Sequence, residues 1–294
     1  MNEATAASQY LLALARRNAR AYVALPDTRA IIVTGSSVEG LSDFYSDLDV
    51  IVYYDKLPSE EKMLAIAQQN GGIDRKPLGE RTEDEYGEAY TVYGVQCQVG
   101  HSTIAAWERD MAAVLEGLDV TSPLQKALSG MLQAVPLYGE PLVQHWQTKL
   151  ADYPETLAEA MVKHYLTFFP LWSLVEYLAP RDATIWTYQL LTESAQHLLG
   201  VLSGLNHVYY SSFQFKRMHY FVSKLKLAPV DFAARLETLF HIDPVDAAQQ
   251  TEALVQETVV LVEQHMPQID TSAVRRTLGR RHQPWEPNSV VTQS

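Results

Sequence analysis

Two aspartates one residue apart, Asp47 and Asp49, open an apolar run that continues through Val50, Ile51, Val52, Tyr53 and Tyr54. Residues i and i+2 of a β-strand point the same way, so the two carboxylates stand side by side, while Leu48, Val50 and Val52 face the other side. Carboxylates held that close repel one another unless a cation sits between them. A hard divalent cation such as Mg2+ takes carboxylate oxygens together with substrate phosphates. Upstream, the run Ala30-Ile31-Ile32-Val33 leads into Gly35-Ser36. A Gly-Ser turn after a strand offers backbone N–H groups to an anion, and glycine has no Cβ to hold a phosphate away. The chain thus reads as a glycine turn, a spacer from Ser37 to Ser46, and then a carboxylate pair, suited to a metal-bound phosphate chain.

The elements that must position these residues are legible as hydrophobic periodicity. Residues 5–24 repeat Leu11, Leu14, Ala15, Ala19 and Tyr22 at helical spacing, and Pro26-Asp27 ends the helix. Residues 30–33 and 49–54 are strands, and 59–69 is a helix with Ser59 as its N-cap and Glu60-Glu61 in the first turn. Residues 89–93 and 95–100 read as two more strands; in the second, Val95, Cys97 and Val99 face one way and Gln96 and Gln98 the other. From about residue 102 onward every periodic segment is helical, and the polar stretch from Ser272 reads as a loose tail. The expected fold class is α+β: a small mixed β-sheet domain over 1–110, an all-helical domain over 111–271, and a tail over 272–294.

The 294 residues carry a formal net charge of −12, which argues against a protein that grips nucleic acid, because phosphate contacts need clustered Lys and Arg. The same charge is compatible with a cationic small molecule. A single cysteine, Cys97, excludes an internal disulfide and is expected as a buried strand residue, since no basic partner is near it in sequence. The first twenty residues do not read as a signal peptide, and the most apolar stretch, 165–175, is broken by Pro170 well short of the roughly 20 residues a span needs. A soluble cytoplasmic protein with no membrane contact is expected.

The stretch from Val33 to Asp55 resembles the DNA polymerase β-like nucleotidyltransferase superfamily, at Gly35, Ser36, Asp47 and Asp49, with Ser46 before the first aspartate also in pattern. The layout, a small mixed sheet and then helices, is similar to the bacterial enzymes that modify aminoglycosides and lincosamides, as is QAVPLYGEP at 133–141. The resemblance implies Mg2+-dependent transfer of a nucleoside monophosphate, AMP from ATP as the expected donor, to a hydroxyl of a small molecule such as an aminoglycoside-like antibiotic. It implies Asp47 and Asp49 as metal ligands, with Gly35, Ser36 and Ser46 toward the nucleotide. Lys216, in a helical segment, has the charge to meet the β- and γ-phosphates, with a solvated surface lysine as the alternative. Members of this layout sometimes dimerise so that two chains build one site, and the sequence leaves that open.

The family usually carries a third carboxylate on a neighbouring strand, and here that position falls at Gln98, or at Gln96 one step along the same face. A neutral amide accepts no proton and is a weaker metal ligand. Three explanations stand open: another acid substitutes, with Glu88 or Glu193 as candidates; the strand register differs; or the chain binds nucleotide with little or no transfer activity. His101 is expected in packing, Asn206 as a cap or turn residue, and the acidic run Glu83-Asp84-Glu85 as a solvated loop.

Overall fold

The computed structural model describes residues 4–178, 181–279 and 285–286. The chain forms two compact units that divide between Tyr153 and Pro154.

The first unit begins with helix α1 (Ala6–Val23), whose N-cap Thr5 accepts from the Ser8 amide at 3.1 Å. Strand β1 (Thr28–Thr34) follows, then β2 (Leu48–Tyr54), helix α2 (Glu60–Gln69), and strands β3 (Ile73–Pro77), β4 (Glu85–Val92) and β5 (Val95–Thr103). Helices α3 (Ile104–Leu115) and α4 (Leu124–Gln133), strand β6 (Val135–Tyr138) and helix α5 (Glu140–Ala151) complete it. Six strands form one sheet in the order β3-β4-β5-β2-β1-β6. Only β2 and β5 run parallel, so the sheet is mixed.

Strand alternation sends Leu48, Val50 and Val52 to one face, where Ile31, Val33, Cys97 and Val99 join them against α1 and α2. The opposite face packs on α3, α4 and α5, with Thr34 Oγ1 donating to Gly130 O of α4 (3.2 Å). There Tyr53, fully buried, meets Trp146 of α5 and Trp107 of α3 with ring centroids 4.7 Å and 5.7 Å away. Four residues earlier on the same face, Asp49 is left half-buried.

Two expectations are corrected here. Residues after 102 are not all helical, because Val135–Tyr138 adds an edge strand to β1, with Pro136 opposite Ile32. A four-residue strand containing proline has little periodicity, and an edge is where a strand tolerates proline. Since β6 returns the chain to the sheet, α3, α4 and α5 belong to the first unit, and the division falls after residue 153 rather than 110.

The second unit is helical throughout its described residues: α6 (Glu155–Tyr165), a π turn at Leu174–Leu178, α7 (Thr184–Leu205), a 3-10 turn at Ser212–Arg217, α8 (Met218–Val222), α9 (Phe232–Thr238), α10 (Pro244–His265) and α11 (Ser272–Arg275). α7 packs on α6 through Gly200 and Gly204, where a Cβ would collide with the Tyr165 ring and with Ala158 and Val162. The start of the expected tail is instead ordered into α11 by Arg275, which pairs with both oxygens of Glu263 at 2.9 and 2.6 Å. Residues 280–284 and 287–294 of that stretch lie outside the described residues. No helix among the described residues is long and apolar enough to cross a membrane.

Candidate functional site

β1 and β2 pair antiparallel with Thr34 opposite Asp49, so the chain leaves β1 beside that carboxylate. Gly35 is the next residue and has φ +73, a left-handed backbone that costs other residues strain. A Cβ on Gly35 would also run into Oδ2 of Asp49. Glycine is therefore demanded twice at this position, once by the turn and once by the aspartate. Gly35–Ser37 forms a 3-10 turn closed by Ser37 Oγ donating to Thr34 O (3.1 Å). Ser36 Oγ shares a hydrogen bond with Ser42 Oγ (3.0 Å), and the Ser42 amide donates to Ser8 Oγ of α1 (3.0 Å). The glycine turn is thus tied to the sheet on one side and to α1 on the other.

Gly35→Ala is expected to cost about 1–2 kcal/mol through the left-handed backbone alone. It should also displace Asp49, so metal-dependent nucleotide binding should fall far more than thermal stability. Calorimetric binding alongside a melting curve separates the two; unchanged nucleotide affinity would show that the close approach is unimportant.

Between turn and aspartates the chain makes a hydrogen-bonded turn at Asp43–Ser46. Asp43 Oδ1 accepts from the Tyr45 amide and from Ser46 Oγ, both at 2.9 Å, and the Asp43 amide donates to Ser46 Oγ at 3.0 Å. Ser46 thus holds the loop rather than standing ready at its tip. The turn presents Phe44 and Tyr45 to solvent, 88% and 99% exposed. Sequence reading missed this feature, although Asp43 followed by Ser46 is a recognisable turn signal.

On the other side of β2, β5 runs parallel with Gln98 paired to Asp49. Gln98 Nε2 donates to Oδ2 of Asp47 at 2.5 Å. An ionised carboxylate only accepts, so the amide must present its NH2 to Asp47, which leaves its carbonyl oxygen as a free-standing acceptor. β4 pairs antiparallel on the far side of β5, with Ala89 opposite Gln98. Across the three strands the row therefore reads Asp49, Gln98, Ala89, with no third acid.

Glu88 is excluded from that row. It lies opposite Val99, and residues paired across strands share a face, so Glu88 projects to the side of the sheet away from Asp47 and Asp49. There it is fully buried, accepting from Arg75 Nε at 2.6 Å and from His101 Nε2 at 3.3 Å. His101 is likewise buried on that face, with Nδ1 3.0 Å from the Tyr54 hydroxyl, a packing role as expected.

Lys216 and Glu193 belong to the second unit, where both are exposed. Asn206 is a loop tie: its amide donates to Leu202 O and Leu227 O, and its carbonyl accepts from the amides of Lys226 and Leu227. Asp84 of the acidic run accepts from Thr103 Oγ1 (3.1 Å) and pairs with Arg109 (3.2 Å), so this run is partly structural. Burial pushes the Cys97 thiol up to about 12, far from a nucleophile's range.

Among the described residues no group of three or more His, Cys, Asp or Glu side chains is placed to hold a metal. Mg2+ does not need one, because it is commonly held by one or two carboxylates plus substrate phosphates and water. The donor set here is hard oxygen from Asp47 and Asp49, beside a glycine turn, and it fits that mode.

No family model and no curated protein matches the chain. What the site can do is therefore read from its own geometry. Among solved structures the chain is similar to a nucleotidyltransferase-like protein from Exiguobacterium sibiricum 255-15, at 12% identity and a TM-score of 0.41, covering 92% of this chain and 81% of that one. It is also similar to terminal uridylyl transferase 4 from Trypanosoma brucei with bound GTP, at 12% identity and a TM-score of 0.26, covering 89% of this chain and 69% of that one.

Proposed function

We propose that this chain is a metal-dependent nucleotidyltransferase that moves a nucleoside monophosphate from a nucleoside triphosphate, ATP in the first instance, to a hydroxyl of a small molecule. The observation that carries the reading is the close approach of Gly35 to Asp49, which sets a glycine turn directly against a half-buried carboxylate pair. Asp47 and Asp49 would hold Mg2+, and Gly35 and Ser36 would receive the β- and γ-phosphates. Bound there, the cation would neutralise phosphate oxygens and lower the pKa of the attacking hydroxyl. That hydroxyl oxygen forms a bond to the α-phosphorus, the bond to the bridging oxygen breaks, pyrophosphate leaves, and the hydroxyl proton passes to water.

An in-line displacement puts the attacking and leaving oxygens on opposite sides of the phosphorus. Gly35 flanks Asp49 and Gln98 flanks Asp47, so with pyrophosphate at the glycine turn the acceptor approaches from the Asp47–Gln98 side. The exposed pair Phe44 and Tyr45 stands only three and two residues before Asp47, suited to an acceptor with an apolar ring face. The net charge of −12 suits a cationic acceptor of the aminoglycoside type and argues against a polynucleotide. Gln98 also favours a second reading, a nucleotide-binding module without transfer chemistry.

Titration of ATP, GTP, CTP and UTP by calorimetry, with and without Mg2+, tests the site. Metal-dependent binding of one triphosphate that disappears in Asp47→Ala/Asp49→Ala is the expected result. Binding that persists without metal, or survives the double substitution, would overturn the assignment. Binding with no turnover on any screened acceptor would favour the module.

A further inference from the structure

The neutral side chain beside the carboxylate pair bears on how many metal ions the site takes. Asp47 and Asp49 supply two negative charges and Gln98 none. Gln98 instead spends its amide hydrogens on Asp47 Oδ2 at 2.5 Å, a contact that quiets one carboxylate oxygen without a cation. Ala89, the next residue across the sheet, brings no charge either. Two carboxylates balance one divalent cation, and neither Gln98 nor Ala89, in line with Asp49 across β5 and β4, adds the charge to hold a second against the repulsion of the first.

We propose that Gln98 makes this a one-metal site, in which Asp47 and Asp49 take a single divalent cation with the triphosphate and the Gln98 amide occupies the place of a second ion. The inference rests on the nucleotidyltransferase reading of the same residues. Its converse is specific. In Gln98→Glu two carboxylate oxygens would face each other across the short contact to Asp47, which is tolerable only with a proton or a cation between them. That variant should therefore acquire a second metal ion and should depend on metal for part of its stability.

The test counts bound Mn2+ by electron paramagnetic resonance in the presence of α,β-methylene nucleoside triphosphates. These analogues cannot be cleaved, so the count is independent of turnover. All four bases are tried singly and the best-held is used. The expected result is one Mn2+ per wild-type chain and two per Gln98→Glu chain, with the melting temperature of the variant rising more on adding Mn2+ than that of wild type. Gln98→Asp, one methylene shorter, serves as a second variant should Gln98→Glu fold poorly, and is expected to show the same gain.

Two ions in wild type would overturn the one-metal inference and leave the transferase reading standing. One ion in wild type and in both variants would overturn it as well, because Gln98 would then not set the number. No bound ion in any chain that melts cooperatively would remove the metal-nucleotide reading itself, and this inference with it.

Discussion

Asp49→Asn should lower nucleotidyl transfer by on the order of 10^3-fold while leaving the fold intact. The substitution keeps the side chain's shape and removes its charge. Asp49 is half-buried against Gly35, so asparagine fits the same space. What is lost is a ligand to the cation that would balance charge on the reacting phosphate. Losing a single well-aimed electrostatic group in an active site commonly costs about 10^2–10^3-fold, and a metal ligand belongs at the upper end. At about 1.4 kcal/mol per factor of ten, that is about 4 kcal/mol of transition-state stabilisation. Asp47→Asn should cost a similar amount, because asparagine can still accept from Gln98 but no longer carries charge. Since both residues serve one ion, the double variant should be scarcely worse than either single one. Thermal stability should stay level or rise, since two carboxylates held side by side repel one another. Pyrophosphate release on a screened acceptor, read beside a melting curve, checks this. Release that is unchanged in Asp49→Asn would sink the proposed role.

How much of this was legible in the sequence follows from which signals are local. The closeness of Gly35 to Asp49 was readable because a turn that leaves one strand and an acid that opens the next report their own geometry; Asp47 lies just ahead of β2. The phase of β5 was readable too: Val95, Cys97 and Val99 alternate with Gln96 and Gln98, and the register puts Gln98 beside Asp49. β6 was not, because its four residues include a proline and its pairing partner, β1, lies a hundred residues earlier. α6 ends at Tyr165, ahead of Pro170, whose ring and missing N–H cannot continue a helix through the apolar stretch 165–175. The assignment of Glu88 as a candidate third acid failed by one residue of phase. β4 begins at Glu85, and Tyr86, Glu88, Tyr90 and Val92 alternate along one buried face of it. An acid that alternates with tyrosines and a valine belongs to their face of the strand, and the face of Asp49 receives Ala89 instead.

What Glu88 does on that buried face leads to the second large effect, on stability. Its carboxylate is fully buried and joins Arg75, whose side chain is 16% exposed, to a buried His101. A carboxylate cannot donate, so His101 Nε2 carries the proton toward Glu88, and Nδ1 is left to accept from the Tyr54 hydroxyl. Removing one partner of such a network leaves the others desolvated and unpaired, so Glu88→Ala should cost about 3–5 kcal/mol. For a unit of this size that is a fall in melting temperature of roughly 10 °C. Arg75→Met combined with Glu88→Leu should recover much of the loss, because replacing a buried ion pair whole is often near neutral. A double variant no better than Glu88→Ala would show that packing rather than charge governs the loss. The same network gives a pH dependence of definite sign. Burial, opposed by Glu88, holds the His101 pKa below its ordinary value. The unfolded chain therefore takes up a proton near pH 6.5 that the folded chain refuses until the pH is lower. Stability should be full above about pH 6.5 and should decline as the pH falls below it toward the folded pKa. Urea midpoints at pH 7.5 and 5.5 test this against His101→Gln, which lacks the titrating ring and should lose less between the two. An equal loss in both chains would assign the acid sensitivity to other groups.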